Sequence, residues 1–232
     1  MEYIDYLKTI LSDEDINKLE NAYNEEGLNG LRVNLLKTSK EDISKFFEFT
    51  KNHPFVKEAF IYDNSIKPGK DPLFSAGAYY IQEPSAMMPG YLIPINENDK
   101  VLDMCAAPGG KSSQILSKLN GSGILVSNDI SNKRVQILSE NIERMGASNA
   151  YVLNEQIDTL EKKFYGFFDK VVLDAPCSGS GTIYVAENSK EILYTENFAN
   201  KLENKEYAYN MKNSYEGGNL FVWYQFFTHW YI

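Results

Sequence analysis

Residues 101–115 read VLDMCAAPGGKSSQI, and this stretch decides the fold. A short apolar run ends at Asp103, a turn of small residues with two adjacent glycines follows, and Lys111 opens a helical pattern. A strand, a glycine turn and a helix in this order are typical of open α/β sheets, which bind ligands beyond the carboxyl ends of their strands. We therefore expect residues 103–111 to cradle a ligand.

The chain after this turn alternates between short apolar runs and helical patterns. The apolar runs are KVLDM (100–104), GILVSND (123–129), NAYVLNE (149–155) and KVVLDAP (170–176). Strands that are apolar almost throughout and separated by helices predict a parallel sheet covered on both faces. This is a doubly wound α/β fold, with its chemistry expected at the strand ends.

The first third of the chain has a different pattern. Amphipathic helical patterns open at SDED (12–15), whose first and last residues are spaced as a capping pair, and at Thr38. The run LRVNLL (31–36) between them has the composition of a strand. Residues 1–75 are therefore predicted to form a small α+β domain, and residues 76–232 the sheet domain.

Composition and charge exclude several classes of protein. The net charge of −9 argues against bulk electrostatic binding of nucleic acid, which needs clustered lysine and arginine side chains. Two cysteines and two distant histidines offer neither a disulfide scaffold nor a metal-ligand spacing. No apolar run approaches the roughly 18 residues of a membrane span. We expect a cytoplasmic protein with no metal and no membrane partner.

The glycine turn discriminates between nucleotide ligands. A phosphate-binding P-loop has the pattern G-x-x-x-x-G-K-[ST], and Cys105 stands where its first glycine belongs. The dinucleotide pattern G-x-G-x-x-G is also absent, because the two glycines are adjacent. Asp129, nineteen residues after Gly110, is placed like the acid that binds ribose hydroxyls, although it also stands where it could cap the helix from Ser131. A nucleoside without a triphosphate fits this pattern, and S-adenosylmethionine fits it better than ATP or NAD.

A thiol lies at the end of the fourth strand of the pattern. VVLDAPCSGSG (171–181) places Asp174, Pro176 and Cys177 before two glycines that permit close approach of a substrate. A lone cysteine is most often a buried apolar residue. In a loop at the ligand-binding edge it acts as a nucleophile when its pKa is lowered, and we expect Cys177 in that role.

Five stretches together resemble one family. They are GAYYIQEPSAM (77–87), VLDMCAAPGGKSSQI (101–115), SNDISNKRVQIL (127–138), NIERMGASNAYVLNE (141–155) and FFDKVVLDAPCSGSG (167–181), with a looser match at LRVNLLK (31–37). They resemble the RNA cytosine-5 methyltransferases of the NOL1/NOP2/Sun type, in particular the bacterial ribosomal RNA enzymes. The resemblance implies a Rossmann-like S-adenosylmethionine methyltransferase sheet, a small N-terminal RNA-binding domain, and methyl transfer to C5 of a cytosine in ribosomal RNA.

The resemblance also implies roles for individual residues. The cofactor loop consists of Cys105, Ala106, Ala107, Pro108, Gly109, Gly110 and Lys111. Asp129 takes the ribose hydroxyls with Arg134 beside it, and Gln156 is a looser match for a contact with the adenine. Asp174 lies at the junction of cofactor and base, where it assists by protonating the ring. A valine at Gly110 is expected to fill the space of the cofactor's methionine moiety.

The sequence departs from this family after residue 181. The family's nucleophile is a second cysteine, in Ser-Thr-Cys at the end of the fifth strand, and in GGNLFVWYQFF (217–227) Gln225 stands at its position. Cys177 is then the only candidate catalytic thiol, and we expect a truncated chain with an incomplete C-terminal part of the sheet. Two outcomes stay open: weak methyl transfer through Cys177, or a catalytically impaired protein that binds cofactor and RNA. A P-loop nucleotide hydrolase is a third class.

Overall fold

The computed structural model describes residues 7–23, 27–47, 51–174 and 219–222. Residues 28–174 and the strand at 219–222 belong to one compact unit, and residues 7–23 belong to another.

Helix α1 spans Asp13–Tyr23 and follows a capping pair. The Ser12 hydroxyl accepts a hydrogen bond from the backbone N–H of Asp15 at 3.2 Å and donates one to its carboxylate at 2.6 Å. Such a pair satisfies an N–H group that the first turn of a helix leaves without a partner. The predicted pairing of Ser12 with Asp15 is confirmed.

A four-stranded antiparallel sheet forms the first part of the larger unit. Its strands are β1 (Asn29–Val33), β2 (Lys51–Asn52), β3 (Ala59–Tyr62) and β4 (Tyr79–Ile81), in the order β2-β3-β1-β4. Its core contains the buried side chains of Leu31, Val33, Ile43, Phe60 and Tyr79. The edge strand β4 lies beyond residue 75, inside the segment that we assigned to the second domain. The domain boundary itself stays a prediction.

Helix α2 spans only Lys40–Ile43, although the pattern predicts a longer helix from Thr38. Thr38 is held in the preceding turn, where its N–H donates to the Asn34 carbonyl at 3.1 Å. After Ile43 the hydrogen bonds join residues three apart, as from the Phe46 N–H to the Ile43 carbonyl, so the chain continues as a turn. A second short helix, α3, spans Pro72–Ser75.

A five-stranded parallel sheet forms the second part of this unit. Its strands are β5 (Lys100–Asp103), β6 (Ile124–Asn128), β7 (Ala150–Leu153), β8 (Lys170–Leu173) and β9 (Asn219–Val222), in the order β7-β6-β5-β8-β9. The helices are α4 (Met88–Leu92), α5 (Gly110–Leu119), α6 (Asn132–Met145) and α7 (Ile157–Phe164). The predicted parallel α/β sheet is confirmed, because the four apolar runs form four adjacent strands. Strand β9 lies within the run that we expected to form the fifth strand.

The main core cluster of the parallel sheet is apolar, and several buried polar residues lie at the carboxyl ends of the strands. Fully buried apolar side chains include Val101, Ile115, Leu116, Leu119, Leu125 and Leu138. Burying one side chain of this kind contributes about 1.5–3 kcal/mol. The carboxyl ends of the strands differ from this apolar core, because they carry the polar residues Asp103, Asn128 and Asp129, which are at most 2% exposed. Burying polar groups is costly, so this end of the sheet requires an explanation. None of the helices in the described ranges is long and apolar enough to cross a membrane.

Candidate active site

Three carboxylates lie at the carboxyl ends of neighbouring strands. Asp103 ends β5, Asp129 follows β6 and Asp174 follows β8. Each has one buried oxygen without a hydrogen-bond partner among the described residues: Oδ1 of Asp103, Oδ2 of Asp129 and Oδ1 of Asp174. A buried acceptor without a donor costs about 1–3 kcal/mol, and more when it is charged. Among the described residues, these three oxygens therefore lack hydrogen-bond donors, and hydroxyl or ammonium groups of a ligand are donors that could pair with them.

The innermost of these acids, Asp103, is held by hydroxyl groups. Its Oδ2 accepts a hydrogen bond from Ser112 at 2.7 Å, and the Ser112 hydroxyl is 2.8 Å from that of Ser127. Burial raises the pKa of Asp103 to about 6, and the negative charges of Asp174 and Asp129 add to this effect against the opposing Ser112 hydrogen bond. The three acids are therefore close enough to influence one another electrostatically.

The two oxygens of Asp129 have different surroundings. Oδ1 accepts a hydrogen bond from the Ser131 backbone N–H at 3.0 Å, which forms an Asx turn directly before α6. The N-cap of α6 is Ser131 itself, so the capping role considered from the sequence is not formed. Oδ2 lies 3.3 Å from the Arg134 guanidinium without forming a hydrogen bond to it. One oxygen thus orders the turn before α6, and the other is paired only electrostatically, with Arg134, in the part of the chain that the structure describes.

The loop before α5 is fixed through its carbonyl groups. Arg134 donates to the carbonyl of Ala107, and Asn141 donates to that of Pro108 at 2.8 Å. Both donors come from α6. Gly109 adopts a φ of +108°, which a residue with a side chain rarely adopts, and this conformation turns the chain into α5.

A side chain at Gly110 would approach residues around β4. A Cβ at this position would lie 2.9 Å from the amide nitrogen of Gln82 and 3.5 Å from the Tyr80 ring. The missing side chain therefore gives room to residues around β4. The expectation that a valine here would fill the space of the cofactor's methionine moiety stays a prediction.

Lys111 forms an ion pair with Oδ2 of Asp174, and both side chains are largely buried, at 14% and 16% exposure. The pair fixes one oxygen of Asp174, and Oδ1 has no hydrogen-bond partner among residues 7–23, 27–47 and 51–174. Lys111 thus connects the glycine turn to the end of β8.

The only cysteine in the described residues, Cys105, is unsuited to nucleophilic catalysis. Burial raises the pKa of its thiol to about 12, and Asp103, Asp129 and Asp174 reinforce the shift. The thiolate is the reactive form, so this thiol is inert near neutral pH. Cys177 and Gln225 lie outside the described residues.

Sequence reasoning missed Asn128, which ties three strand ends together. Its amide nitrogen donates to the carbonyls of Met104 at 3.2 Å and Glu155 at 3.0 Å, and its oxygen accepts from the Glu155 N–H at 2.9 Å. A polar amide directly before Asp129 was the available signal. Gln156 is exposed and its carbonyl accepts hydrogen bonds at the start of α7, so its contact with an adenine stays a prediction.

Residues 90–207 match the family 16S rRNA methyltransferase RsmB/F, and residues 1–84 match the N-terminal domain of 16S rRNA methyltransferase RsmF. The chain belongs to the RsmB/F methyltransferase family. The family resemblance drawn from the sequence is thereby confirmed.

Known proteins are similar to this RsmB/F-family chain over much of its length. The 28S rRNA (cytosine-C(5))-methyltransferase of Mus musculus is 35% identical over 159 residues, which are 66% of this chain and 20% of that protein. Ribosomal RNA small subunit methyltransferase F of Shewanella sediminis is 34% identical over 163 residues, 66% of this chain and 34% of that protein. A methyltransferase homologue from Pyrococcus horikoshii has a crystal structure that superposes with a TM-score of 0.73 at 29% identity, covering 90% of this chain and 68% of that one.

The chain therefore spans about a fifth to a third of the length of these two curated relatives. The similarity covers the site, because the RsmB/F match begins before β5 and extends past β8.

Proposed function

We propose that this chain binds S-adenosylmethionine at the carboxyl ends of β5, β6 and β8 and transfers the methyl group to C5 of a cytosine in RNA. The observation that carries the proposal is the set of three buried carboxylate oxygens without donors, beside a glycine turn, in a chain of this family. The cofactor's ribose hydroxyls and its ammonium group are donors of the kind that these oxygens need.

The residues present suit this cofactor. Oδ2 of Asp129 accepts from the ribose hydroxyls, as acids placed after a glycine turn do in nucleotide-binding sheets. The loop from Cys105 to Lys111 lies against the rest of the cofactor, and its outward carbonyls are held by Arg134 and Asn141. Asp174 is held through one oxygen by Lys111 and keeps the other for the ligands.

The chemistry of C5 methylation requires a thiol. C5 of cytosine is a poor nucleophile, and addition of a thiolate to C6 makes it reactive; a base later removes the C5 proton and the thiol leaves. The bound cofactor supplies the electrophilic methyl group. We assign the addition to Cys177, because the thiol of Cys105 stays protonated. Asp174 lies at the junction of the two ligands, where its carboxylate would stabilise a proton on N3 of the ring.

Ribosomal RNA is the proposed substrate and partner. Two observations support it: the family is described by its 16S rRNA activity, and the mouse and Shewanella relatives are named for ribosomal RNA. The N-terminal α+β region, predicted as residues 1–75, is proposed to bind RNA, and its match over residues 1–84 to an N-terminal domain of this family supports a separate region there. The cytoplasmic location stays a prediction.

The adduct with 5-azacytidine RNA tests the proposal, because the base cannot lose a proton from position 5 and the thiol stays attached. RNA containing 5-azacytidine, S-adenosylmethionine and wild-type protein should give a covalent complex on a denaturing gel. Cys177→Ser should abolish the complex, and Cys105→Ser, the matched control, should retain it.

Tritium transfer from labelled S-adenosylmethionine to unmodified ribosomal RNA completes the test. Binding of S-adenosylhomocysteine without adduct or methyl transfer would make the chain a binding protein without turnover, as the glutamine at position 225 suggests. Absence of cofactor binding as well would overturn the proposal.

A further inference from the structure

Arg32 is a buried cation that joins the two sheets. It lies on β1 with 1% of its surface exposed. Its Nη2 donates to the carbonyl of Gly110 at 3.0 Å and to the hydroxyl of Ser113 at 2.8 Å. Both acceptors belong to the first turn of α5, immediately after the glycine turn of the cofactor loop. A residue of the N-terminal sheet thus holds the helix start on which the proposed cofactor site depends.

Burial of this guanidinium is costly. No carboxylate in residues 7–23, 27–47 or 51–174 forms an ion pair with Arg32, and its Nε has no hydrogen-bond partner there. Burial lowers the pKa of Arg32 to about 10, with Glu58 and Tyr80 opposing the shift, so the side chain is still a cation at neutral pH. An apolar side chain of similar size would avoid the desolvation cost. The cationic side chain is therefore better explained by the two groups to which it donates hydrogen bonds than by a contribution to the stability of the fold.

The two acceptors define what the cation does. The Ser113 hydroxyl also donates to the Gly110 carbonyl at 2.9 Å, so one guanidinium nitrogen, one hydroxyl and one carbonyl form a closed set of contacts. This set fixes the orientation of the Gly110 peptide, which connects the turn to Lys111. Displacements of about 1 Å in a binding site are enough to weaken it strongly.

We propose that Arg32 is a positioning residue for the cofactor: it fixes the first turn of α5, and thereby makes the N-terminal sheet part of the cofactor-binding apparatus. The inference rests on the proposed function and deepens it. It predicts that Arg32 acts on cofactor affinity as well as on stability.

Asn34 provides a matched control, because it joins the same regions away from the turn. It is 3% exposed, and its amide nitrogen donates to the carbonyls of Gly77 at 2.8 Å and Met145 at 2.9 Å. Met145 ends α6, beyond both Arg134 and Asn141, and makes no hydrogen bond to the loop among the described residues. Loss of Asn34 removes a comparable buried contact and leaves the Arg32 contacts in place.

The test measures the affinity of the full chain for S-adenosylhomocysteine by calorimetry, with thermal unfolding of each variant alongside. Arg32→Met should weaken binding by about 10-fold or more, and Arg32→Lys, which keeps the charge and one donor, by less. Asn34→Ala should lower the unfolding temperature and bind within about 2-fold of wild type. Ser113→Ala, a milder change, should weaken binding by about 3- to 10-fold.

Two results would overturn the inference. One is wild-type affinity in folded Arg32→Met; if that variant does not fold, wild-type affinity in Ser113→Ala decides in the same way. The other is an equal loss of affinity in Asn34→Ala, which would show that Arg32 affects cofactor affinity only by stabilising the fold in general. Failure of the wild-type protein to bind S-adenosylhomocysteine would instead contradict the proposed function, so the two failures are distinguishable.

Discussion

Replacing Asp129 by asparagine separates its two roles. Oδ1 accepts the Ser131 N–H at 3.0 Å, while the buried Oδ2 has no hydrogen bond from the described residues. Asparagine keeps a carbonyl oxygen for Ser131 and replaces Oδ2 by an uncharged amide nitrogen. We expect Asp129→Asn to keep the helix start and lose the acceptor for the ribose hydroxyls.

The magnitude follows from the loss of a hydrogen bond to a charged group. Such a bond contributes about 1.5–3 kcal/mol, so the Kd for S-adenosylhomocysteine should rise by about 10- to 150-fold. The exposed fraction of the Arg134 side chain is 44%, so loss of its ion pair with Asp129 contributes little to stability. The change in affinity should therefore exceed the change in unfolding free energy.

Isothermal titration calorimetry with S-adenosylhomocysteine measures this difference, and urea unfolding checks that the variant is folded. Asp158→Asn, at an exposed position of α7, is the control and should bind as wild type does. If folded Asp129→Asn binds with wild-type affinity, then Asp129 only stabilises the turn before α6 and the ribose assignment is refuted.

Three further predictions concern the residues around this site. The pKa of Asp103 in the folded protein is raised to about 6, so the folded state binds this proton more tightly than the unfolded state does. The resulting contribution to the free energy of unfolding is present below about pH 4 and is lost as the pH rises through about 6. In urea unfolding, the free energy of unfolding of Asp103→Asn should therefore exceed that of wild type by up to about 3 kcal/mol at pH 7.5 and by little at pH 4. An equal difference at both pH values would contradict this. In Cys177→Ser the remaining thiol, Cys105, should react with iodoacetamide at pH 8 about 100-fold more slowly than in urea, and equal rates would show that it is not held protonated. Gly109→Ala should lower the free energy of unfolding by about 1–3 kcal/mol, because Gly109 has a φ of +108° and an added Cβ would lie 3.2 Å from Leu138. Gly121→Ala, with open space around the added Cβ, should lower the free energy of unfolding by less. Similar decreases in the two variants would refute the crowding at Gly109.

The parallel sheet was predictable because its signals are local. Each strand is a short apolar run, each crossover is a helical pattern, and the glycine turn marks where the first helix begins. Asp129 was placed correctly at a strand end for the same reason, since the carboxyl ends of parallel strands form one edge of the sheet.

The contacts that the sequence did not predict join distant residues. Arg32 and Gly110 are 78 positions apart, and nothing in LRVNLL indicates that its arginine is buried or what it holds. The proximity of Gly110 to Gln82 was not predictable for a related reason, because Gln82 follows a strand of the other sheet. The length of α2 was also overestimated, since an amphipathic pattern does not reveal that a turn holds Thr38.

The most direct test of the account is a crystal structure of the chain soaked with S-adenosylhomocysteine. The account predicts the ribose hydroxyls within hydrogen-bond distance of Asp129 Oδ2 and the amino acid end of the ligand beside residues 109–111. An empty crevice in crystals of a protein that binds the ligand in solution, or the ligand seated elsewhere, would contradict it.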